Sequence, residues 1–281
     1  MRLSFRDFSV DLSRKTLIMG ILNVTPDSFS DGGIYYDADT AVEHALEMID
    51  EGADIIDVGG ESTRPGSAPV TVREEISRVV PVIEKLAGRI GVPISIDTYK
   101  AEVAGAAIDA GAGIVNDISG LRFDDRMSKV VSENNVPVII MHIKGTPKDM
   151  QTNPAYENLI GEIMQYLEES ISIAENDGIP SDKIIIDPGI GFGKTFEDNL
   201  EIIKRLAEFK KLCRPILVGP SRKSFIGRIL GDALPLERTE GTAAAVAVSI
   251  MNGADIIRVH DVKEMAEVVK VADAIKSGAI V

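Results

Sequence analysis

From residue 17 onwards, the chain alternates short apolar segments with longer stretches in which apolar positions recur at helical spacing. The apolar segments are rich in β-branched residues, and each of them ends in polar residues or glycine. Segments that are apolar at nearly every position are typical of strands buried on both faces of a parallel sheet. Eight of them occur, at residues 17–23, 55–58, 94–97, 114–117, 138–142, 184–187, 216–219 and 256–260. The pattern therefore predicts eight parallel strands.

Amphipathic helices are predicted between these strands. In the first of them, Asp39 can cap a helix whose apolar residues Val42, Leu46 and Ile49 share one face. Glycine-containing turns then return the chain from the end of a helix to the next strand.

Repeated strand–helix units of about 35 residues each account for almost the whole chain, as in a (β/α)8, or TIM, barrel. We predict an α/β protein with a single domain over residues 1–281. Residues 16–281 would form the barrel, and residues 1–15 a short hairpin that closes its bottom. A doubly wound open sheet is the alternative, but the even spacing of the units favours a closed barrel.

The acidic character of the chain limits what it can bind. Its 281 residues include 30 Lys and Arg against 44 Asp and Glu, which gives a net charge of −14. Such a surface repels nucleic-acid phosphates and anionic lipid headgroups, so neither nucleic acid nor a membrane is an expected partner. An anionic substrate would have to be held by a local cluster of basic residues.

Two further features bear on location. The longest nearly unbroken apolar run, residues 243–251, is about half as long as a bilayer span, and the first residues lack the apolar core of a signal peptide. The single cysteine, Cys213, cannot form an internal disulfide, which fits a reducing compartment. We expect a cytoplasmic protein.

Polar residues recur at or just beyond the C-terminal ends of the apolar segments. In a closed barrel these ends meet at one rim, where the fold carries its active sites. Any one such residue could simply cap the following helix, but so many at equivalent positions indicate a site. They are Asn23, Asp57, Asp97, Asn116, His142, Asp187, Lys223, Arg258 and His260.

The rim residues suggest two chemically different halves. Asp97, Asn116 and Asp187 offer carboxylate and amide groups that suit a planar heterocycle with an N–C–N donor edge. Arg258 and His260 lie two residues apart, on one face of the last strand, and offer donors to an anion.

The first and last strands become neighbours when the barrel closes, so Asn23 and a divalent ion could complete a diphosphate site with Arg258 and His260. The alternative for that pair is a buried ion pair with Asp57 or Asp261.

Two long, polar loops follow the first and second strands, at residues 25–33 (the first loop) and 59–67 (the second loop). Each combines proline with glycine, and we predict that they act as lids over the rim, plain surface loops being the alternative. A third glycine-rich segment, residues 187–195, fails the spacing of a phosphate-binding P-loop. We interpret it as a loop that brings Phe192 close to a flat ligand.

Taken in order, these segments resemble the sequence blocks of dihydropteroate synthases, folate-pathway enzymes that are inhibited by sulfonamides. The first loop and its strand (LNVTPDSFSDGG, 22–33) resemble the first signature of that family, and GGESTRPG (59–66) resembles the second. Six further blocks match in order: IDTYK (96–100), NDISG (116–120), MH (141–142), DPGIGFGK (187–194), GPSRKSFIG (219–227) and RVHDV (258–262).

The resemblance implies a reaction in which 6-hydroxymethyl-7,8-dihydropterin diphosphate and p-aminobenzoate give 7,8-dihydropteroate and diphosphate. It also implies magnesium as cofactor and a homodimer. Metal and cations would stabilise the departing diphosphate in a dissociative substitution that needs no protein nucleophile.

The same resemblance assigns residues to roles. Catalysis would fall to Asp27, Phe29, Thr63, Arg64, Lys223, Arg258 and His260. Substrates would be bound by Thr63, Pro65, Asp97, Asn116, Met141, Asp187, Phe192, Gly219, Lys223, Ser224, Arg258 and His260. Asn23 would hold the metal.

Three alternatives remain at this point. A corrinoid-dependent methyltransferase domain shares the barrel and the pterin site but does not need both loops. A phosphosugar-binding barrel would carry a glycine-rich loop after its last two strands, where this chain has PSRKS (220–224) and HDV (260–262). A catalytically inactive paralogue would bind pterin without turnover.

Overall fold

The computed structural model describes residues 2–5, 8–12, 15–25, 38–63 and 66–279. A short antiparallel pair, β1 and β2, comes first, and eight strands in a single sheet follow it. The strands are β1 (Arg2–Phe5), β2 (Phe8–Asp11), β3 (Leu17–Asn23), β4 (Ile55–Gly59), β5 (Ile94–Asp97), β6 (Ile114–Asp117), β7 (Val138–Met141), β8 (Ile184–Asp187), β9 (Leu217–Val218) and β10 (Ile256–Val259).

The sheet closes into a barrel. Every neighbouring pair within the order β8-β7-β6-β5-β4-β3-β10-β9 is parallel. The two end strands, β8 and β9, are joined by a parallel bridge between Ile186 and Ile216, where the amide of Ile186 donates to the carbonyl of Pro215 over 2.9 Å. The predicted closed barrel is therefore confirmed against the open-sheet alternative.

Helices cover the outside of the barrel. They are α1 (Ala38–Asp50), α2 (Val72–Leu86), α3 (Ala101–Ala110), α4 (Met127–Asn134), α5 (Leu159–Asn176), α6 (Phe196–Lys204), α7 (Ser224–Ile229), α8 (Thr239–Met251) and α9 (Val262–Ser277). The prediction that Asp39 caps α1 is wrong, because Asp39 lies within the first turn of that helix. Its carboxylate accepts a hydrogen bond from Lys85 over 2.6 Å instead. In the described part of the chain, no helix is long and apolar enough to cross a membrane.

The N-terminal hairpin packs against the inside of the barrel, as predicted. Leu17, Ile55, Ile114 and other inward-facing residues near the starts of the strands form one buried apolar cluster. Leu12, which directly follows β2, belongs to this cluster, and Phe8 and Val10 of β2 pack against it. The hairpin therefore closes the end of the barrel at which the strands begin.

Alternation along the strands places polar residues at the other end. On β4, Ile55 belongs to the inner cluster, whereas Ile56 and Val58 pack outward against the helices. Because successive side chains of a strand point to opposite faces, the next inward position after Ile55 is Asp57. The same alternation on β6 takes the inner face from Ile114 to Asn116. Apolar residues thus fill the bottom of the barrel, and polar residues line its mouth.

Candidate active site

The mouth of the barrel holds carboxylates and an amide from several of its strands. Asp97 on β5 and Asn116 on β6 are directly paired in the strand register, and Asp187 ends β8. Asn116 and Asp187 are 5% and 6% exposed. The three side chains thus stand at or near the C-terminal ends of β5, β6 and β8; β5 and β6 are neighbours, whereas β7 separates β6 from β8.

Asp57 lies beneath them and connects them to a cation. Its side chain is fully buried, and its Oδ2 accepts hydrogen bonds from Nδ2 of Asn116 over 2.9 Å and from Nε of Arg258 over 2.6 Å. Nη2 of Arg258 lies 2.7 Å from Oδ2 of Asp97. The guanidinium thus bridges two carboxylates. Among the described residues, neither Oδ1 of Asp57 nor Oδ1 of Asp97 has a hydrogen-bond partner, although both are buried.

This pairing settles the alternative raised for Arg258. An ion pair with Asp57 is present, whereas Asp261 pairs with Arg222, whose Nε donates to it over 3.1 Å. Arg258 retains 21% side-chain exposure, so the ion pair and contact with a ligand are compatible.

Burial shifts the pKa values of the site in a consistent way. It raises the pKa of Asp187 to about 6, against the opposing effects of the Gly189 amide and Lys223. It raises the pKa of Asp97 as well, although Arg258 opposes this. Burial and the charge of Arg258 lower the pKa of Lys223 to about 8. These groups would change their charge within a few pH units of neutrality, which is common at functional sites.

One side of the mouth is apolar. Met141, at the end of β7, belongs to a small buried cluster with Ile118, Ile143 and Met150, against which Phe192 packs. Nζ of Lys223 lies 4.2 Å from the centroid of the Phe192 ring. Gly219, just after β9, lies beside Arg258, whose Cβ would be in ordinary contact, at 3.7 Å, with a Cβ at that position. Met141 and Phe192 thus give this part of the mouth an apolar lining.

The glycine-rich segment after β8 has a tight fold that depends on glycine. Gly189, Gly191 and Gly193 all have positive φ angles, and a Cβ on Gly189 would collide with the carbonyl oxygen of His142. The amide of Gly189 donates to Oδ1 of Asp187 over 2.7 Å. The close approach of this segment to the strand ends is what brings Phe192 to the mouth.

His142 does not join the site, although it was predicted at the rim. Its ring is buried, with Nδ1 2.8 Å from Nζ of Lys194 and its centroid 4.7 Å from that of Tyr166. Burial and the charge of Lys194 lower the pKa of His142 to about 2. Met141 points into the barrel, so the next residue along the strand points away from the mouth.

The residues predicted to bind an anion lie at and beside β10. Nδ1 of His260 is 3.0 Å from Oγ of Ser221, and the amide of His260 donates to the same oxygen over 3.2 Å. Asn23 ends β3, which pairs with β10. Ser224 begins α7 directly after Lys223. The predicted diphosphate residues therefore lie on adjacent strands.

The two loops are only partly within the described residues. Thr63 is described and half-buried. Asp27, Phe29, Arg64 and Pro65 lie outside the described residues. From the sequence, Asp57 was expected at the rim and, as one alternative, in an ion pair with Arg258; the structure makes it the hydrogen-bond partner of both Arg258 and Asn116. An aspartate at an inward position of an otherwise apolar strand was the available signal.

Comparison with known proteins agrees with this geometry. The chain matches the family described as pterin-binding enzymes over residues 19–260. The dihydropteroate synthase of Bacillus subtilis (strain 168) is 52% identical over 266 residues, which cover 95% of this chain and 90% of that protein.

Two solved structures are similar throughout. Yersinia pestis dihydropteroate synthase with a sulfonamide drug complex has a TM-score of 0.93 and 43% identity, and the match covers 99% of this chain and 100% of that one. Xanthomonas albilineans dihydropteroate synthase with 4-aminobenzoic acid has a TM-score of 0.92 and 42% identity, with 98% of both chains covered.

The mouth of the closed barrel combines carboxylate and amide groups with apolar side chains. Together with the family match, this identifies the chain as a pterin-binding enzyme. Within that class the chain belongs to the dihydropteroate synthase family. The family activity is that of a transferase, which joins a dihydropterin diphosphate to p-aminobenzoate with release of diphosphate.

Proposed function

We propose that the barrel mouth condenses 6-hydroxymethyl-7,8-dihydropterin diphosphate with p-aminobenzoate, and that the whole chain serves as one domain for this reaction in the cytoplasm. The observation that carries the proposal is the meeting of Asp97, Asn116 and Asp187 at one end of a closed barrel. The apolar walls and the basic residues beside β10 support it.

The pterin ring would bind with its donor edge on the carboxylates. Oδ1 of Asp97, buried and without a hydrogen-bond partner among the described residues, is available to accept an N–H from the ring. Asn116 and Asp187 would accept or donate along the rest of the edge, and Lys223 would donate to a ring oxygen. The walls would be Met141, Phe192, Gly219 and the stem of Arg258.

The diphosphate would bind beside β10, on Arg258 and His260. These residues supply the local positive charge that a chain with a net charge of −14 needs to hold an anion. The guanidinium is a suitable donor because its planar fork can contact carboxylate and phosphate oxygens at once.

Magnesium fits this half of the mouth. Mg²⁺ is commonly held by one or two protein oxygens together with substrate phosphates and water. The described residues contain no group of three or more His, Cys, Asp or Glu that could hold a metal by themselves, and Asn23 offers a single amide oxygen at the end of β3. A bound Mg²⁺ would neutralise charge on the diphosphate as it departs.

The p-aminobenzoate would lie between the second loop and the start of α7. Thr63 and Ser224 would contact it from opposite sides, with the ring near Lys223. Phe29, Arg64 and Pro65 are assigned to this pocket by the resemblance alone. The 4-aminobenzoic acid complex of the Xanthomonas albilineans relative supports a site for this substrate.

The chain's residues would promote substitution without a covalent intermediate. Arg258 and His260 stabilise the charge of the departing diphosphate, while Asp97 and Asp187 act as hydrogen-bonding and electrostatic partners of the ring. Asp27 and Phe29 of the first loop, with Thr63 and Arg64 of the second, would exclude water before the aniline nitrogen attacks. Lys223 would hold the ring and the incoming amine in line.

A second copy of the chain is the proposed partner. Packed helices α8 and α9 expose apolar side chains, including Val271 and Ile275, which are 61% and 67% exposed. Large exposed apolar patches mark interaction surfaces. Sedimentation equilibrium should give a dimer for the native chain and a monomer for the Val271→Glu/Ile275→Glu double variant, and a monomeric native chain would contradict the proposal.

The test of the activity uses purified protein, dihydropterin diphosphate, Mg²⁺ and labelled p-aminobenzoate. Dihydropteroate should form with the native chain and be largely lost in Asp97→Asn, because an amide NH₂ would face a ring N–H. A sulfonamide should compete with p-aminobenzoate, as the Yersinia pestis complex suggests. Binding of the pterin substrate without product would instead indicate an inactive paralogue.

A further inference from the structure

A cluster of largely buried charged and polar residues connects the second loop to the elements packed against it, outside the proposed substrate contacts. It consists of Glu61, Glu75, Tyr99 and Lys100. The side chains of Glu61, Glu75 and Lys100 are 7%, 1% and 13% exposed. Nζ of Lys100 contacts Oε2 of Glu61 and lies 2.5 Å from Oε2 of Glu75. None of these four residues has a role in the proposed reaction.

Glu61 ties residues 61–63 to residues 66–70, and these two described stretches form the tied segment. Its Oε2 accepts a hydrogen bond from the amide of Val70 over 3.1 Å, and its Oε1 accepts one from the hydroxyl of Tyr99 over 2.6 Å. Lys100 donates to the carbonyl of Val70 over 2.9 Å as well as to Glu61. Both backbone groups of Val70 are therefore held by the same ion pair.

The cluster also connects this segment to the pterin half of the mouth. Lys100 and Tyr99 follow Asp97, the last residue of β5, by three and two positions. The Tyr99 side chain packs against the apolar cluster that contains Met141 and that also supports Phe192. Thr63 lies two residues beyond Glu61, within the tied segment.

Stability alone does not account for a buried ion cluster at this place. Removing charged groups from water is costly, and apolar residues of similar size often stabilise a fold as well or better. The cost is visible at Glu75, where burial raises the pKa although Lys100 opposes the shift. Directed, charge-assisted hydrogen bonds supply a fixed geometry, which apolar contacts do not.

We propose that Glu61 and Lys100 are positioning residues that hold residues 61–63 against residues 66–70 and thereby keep Thr63 at the p-aminobenzoate subsite. The inference rests on the proposed function, because it assigns Thr63 to that substrate. It requires that loss of the tie weaken the use of p-aminobenzoate and leave the affinity for the pterin substrate unchanged.

Steady-state kinetics of Glu61→Gln provide the first test. Misplacing a substrate-positioning group by about 1 Å can cost up to about a hundredfold in rate, so we expect KM for p-aminobenzoate to rise by about tenfold to a hundredfold. Calorimetry with dihydropterin diphosphate and Mg²⁺ should give the native Kd. A parallel loss of pterin affinity would overturn the proposal, because the tie would then support the barrel mouth in general.

Glu75→Gln is the matched control. Like Glu61→Gln, it removes one negative charge from the cluster, at a residue that also contacts Lys100. The other side-chain partner of Glu75 is Thr98, which lies outside residues 61–70. We expect KM for p-aminobenzoate to stay at the native value in this variant. An equal increase in both variants would mean that the cluster acts through folding alone.

Hydrogen exchange measured without substrates separates this inference from the proposed function. In Glu61→Gln, peptides spanning residues 60–71 should exchange faster than in the native chain, because the amide of Val70 loses its charged acceptor and Lys100 loses its ion pair with that residue. Unchanged exchange would overturn the proposal whatever the activity. A native chain that makes no dihydropteroate would count against the proposed reaction while leaving this measurement valid.

Discussion

Nε of Arg258 lies 2.6 Å from Oδ2 of Asp57, which is completely buried. The same guanidinium reaches Asp97 through Nη2, so the residue proposed to hold diphosphate is bonded to a residue proposed to hold the pterin. The two halves of the site therefore share one hydrogen-bonded network with Asp57 at its base. Pterin and diphosphate groups belong to one substrate in the proposed reaction, and this network would set the spacing between the residues proposed to bind them.

The first prediction concerns Asp57→Asn. The new amide oxygen can take the place of Oδ2, but the amide NH₂ would then be a buried donor at the position of Oδ1, and the guanidinium would lose one of its two charge partners. Breaking a buried ion pair by changing one member costs about 3–5 kcal/mol. We expect the free energy of unfolding to fall by about that amount and kcat/KM for the pterin substrate to fall by about a hundredfold, as measured by denaturant unfolding and initial rates.

Asp54→Asn is the control for this variant. Asp54 lies just before the same strand, at the opposite end of the barrel, where its Oδ2 accepts a hydrogen bond from the amide of Ile18 over 3.0 Å and its Oδ1 pairs with Lys15. Stability should fall in this variant too, but kcat/KM of the folded protein should not. If both variants lost the same activity, Asp57 would have no special role in the site.

The second prediction is a bell-shaped pH dependence of kcat/KM for the pterin substrate, which reports groups of the free enzyme. Burial raises the pKa of Asp187 to about 6 and that of Asp97 in the same direction. As the pH falls through these values the carboxylates become protonated and lose acceptor capacity, so the rate constant falls on the acid side. Lys223, with its pKa lowered to about 8, loses its charge as the pH rises, so the rate constant also falls on the alkaline side.

Lys223→Arg tests the assignment of the alkaline limb. An arginine stays protonated throughout the accessible pH range. The variant should be less active at all pH values, because the guanidinium does not fit a site built for an ammonium group, yet its rate should no longer fall above pH 8. An alkaline limb that persists unchanged in this variant would have to come from another group.

Much of the barrel could be predicted because its signals are local. A strand buried on both faces needs apolar residues at nearly every position, and that requirement is visible in segments such as 184–187. The polar rim could be predicted for the same reason, since Asp97, Asn116 and Asp187 interrupt apolar runs at equivalent places. Strand alternation then determines which of them face inward.

Features that depend on contacts between distant residues could not be derived in this way. Arg258 and Asp57 are separated by 201 positions, and the sequence left open whether that arginine pairs with Asp57 or with Asp261. His142 follows an inward-facing strand residue and therefore points away from the mouth. Predicting this orientation requires the exact end of the strand. The sequence pattern fixes strand ends only to within a few residues.

The third prediction concerns magnesium and Asn23. If a single protein oxygen holds the ion together with the diphosphate, the metal should bind far more tightly with the pterin substrate than without it. Chelation should stop turnover, and added Mg²⁺ should restore it. Asn23→Ala should raise the Mg²⁺ concentration needed for half-maximal rate by about tenfold while leaving the binding of 6-hydroxymethyl-7,8-dihydropterin, which lacks the diphosphate, unchanged. Equal Mg²⁺ requirements in both proteins would exclude Asn23 as a ligand.

The fourth prediction uses two glycines with nearly the same backbone conformation. Gly189 and Gly88 have φ angles of +73° and +76°, but a Cβ on Gly189 would collide with the carbonyl of His142, whereas a Cβ on Gly88 meets nothing within 4 Å. Gly88→Ala should therefore lower the free energy of unfolding by about 1 kcal/mol, the cost of the left-handed conformation alone. Gly189→Ala should cost about 1–3 kcal/mol more through the collision, and should raise the Kd of the pterin substrate because Phe192 shifts with the segment. Similar losses of stability in the two variants, with unchanged pterin affinity, would show that the segment can relax without moving the wall of the site.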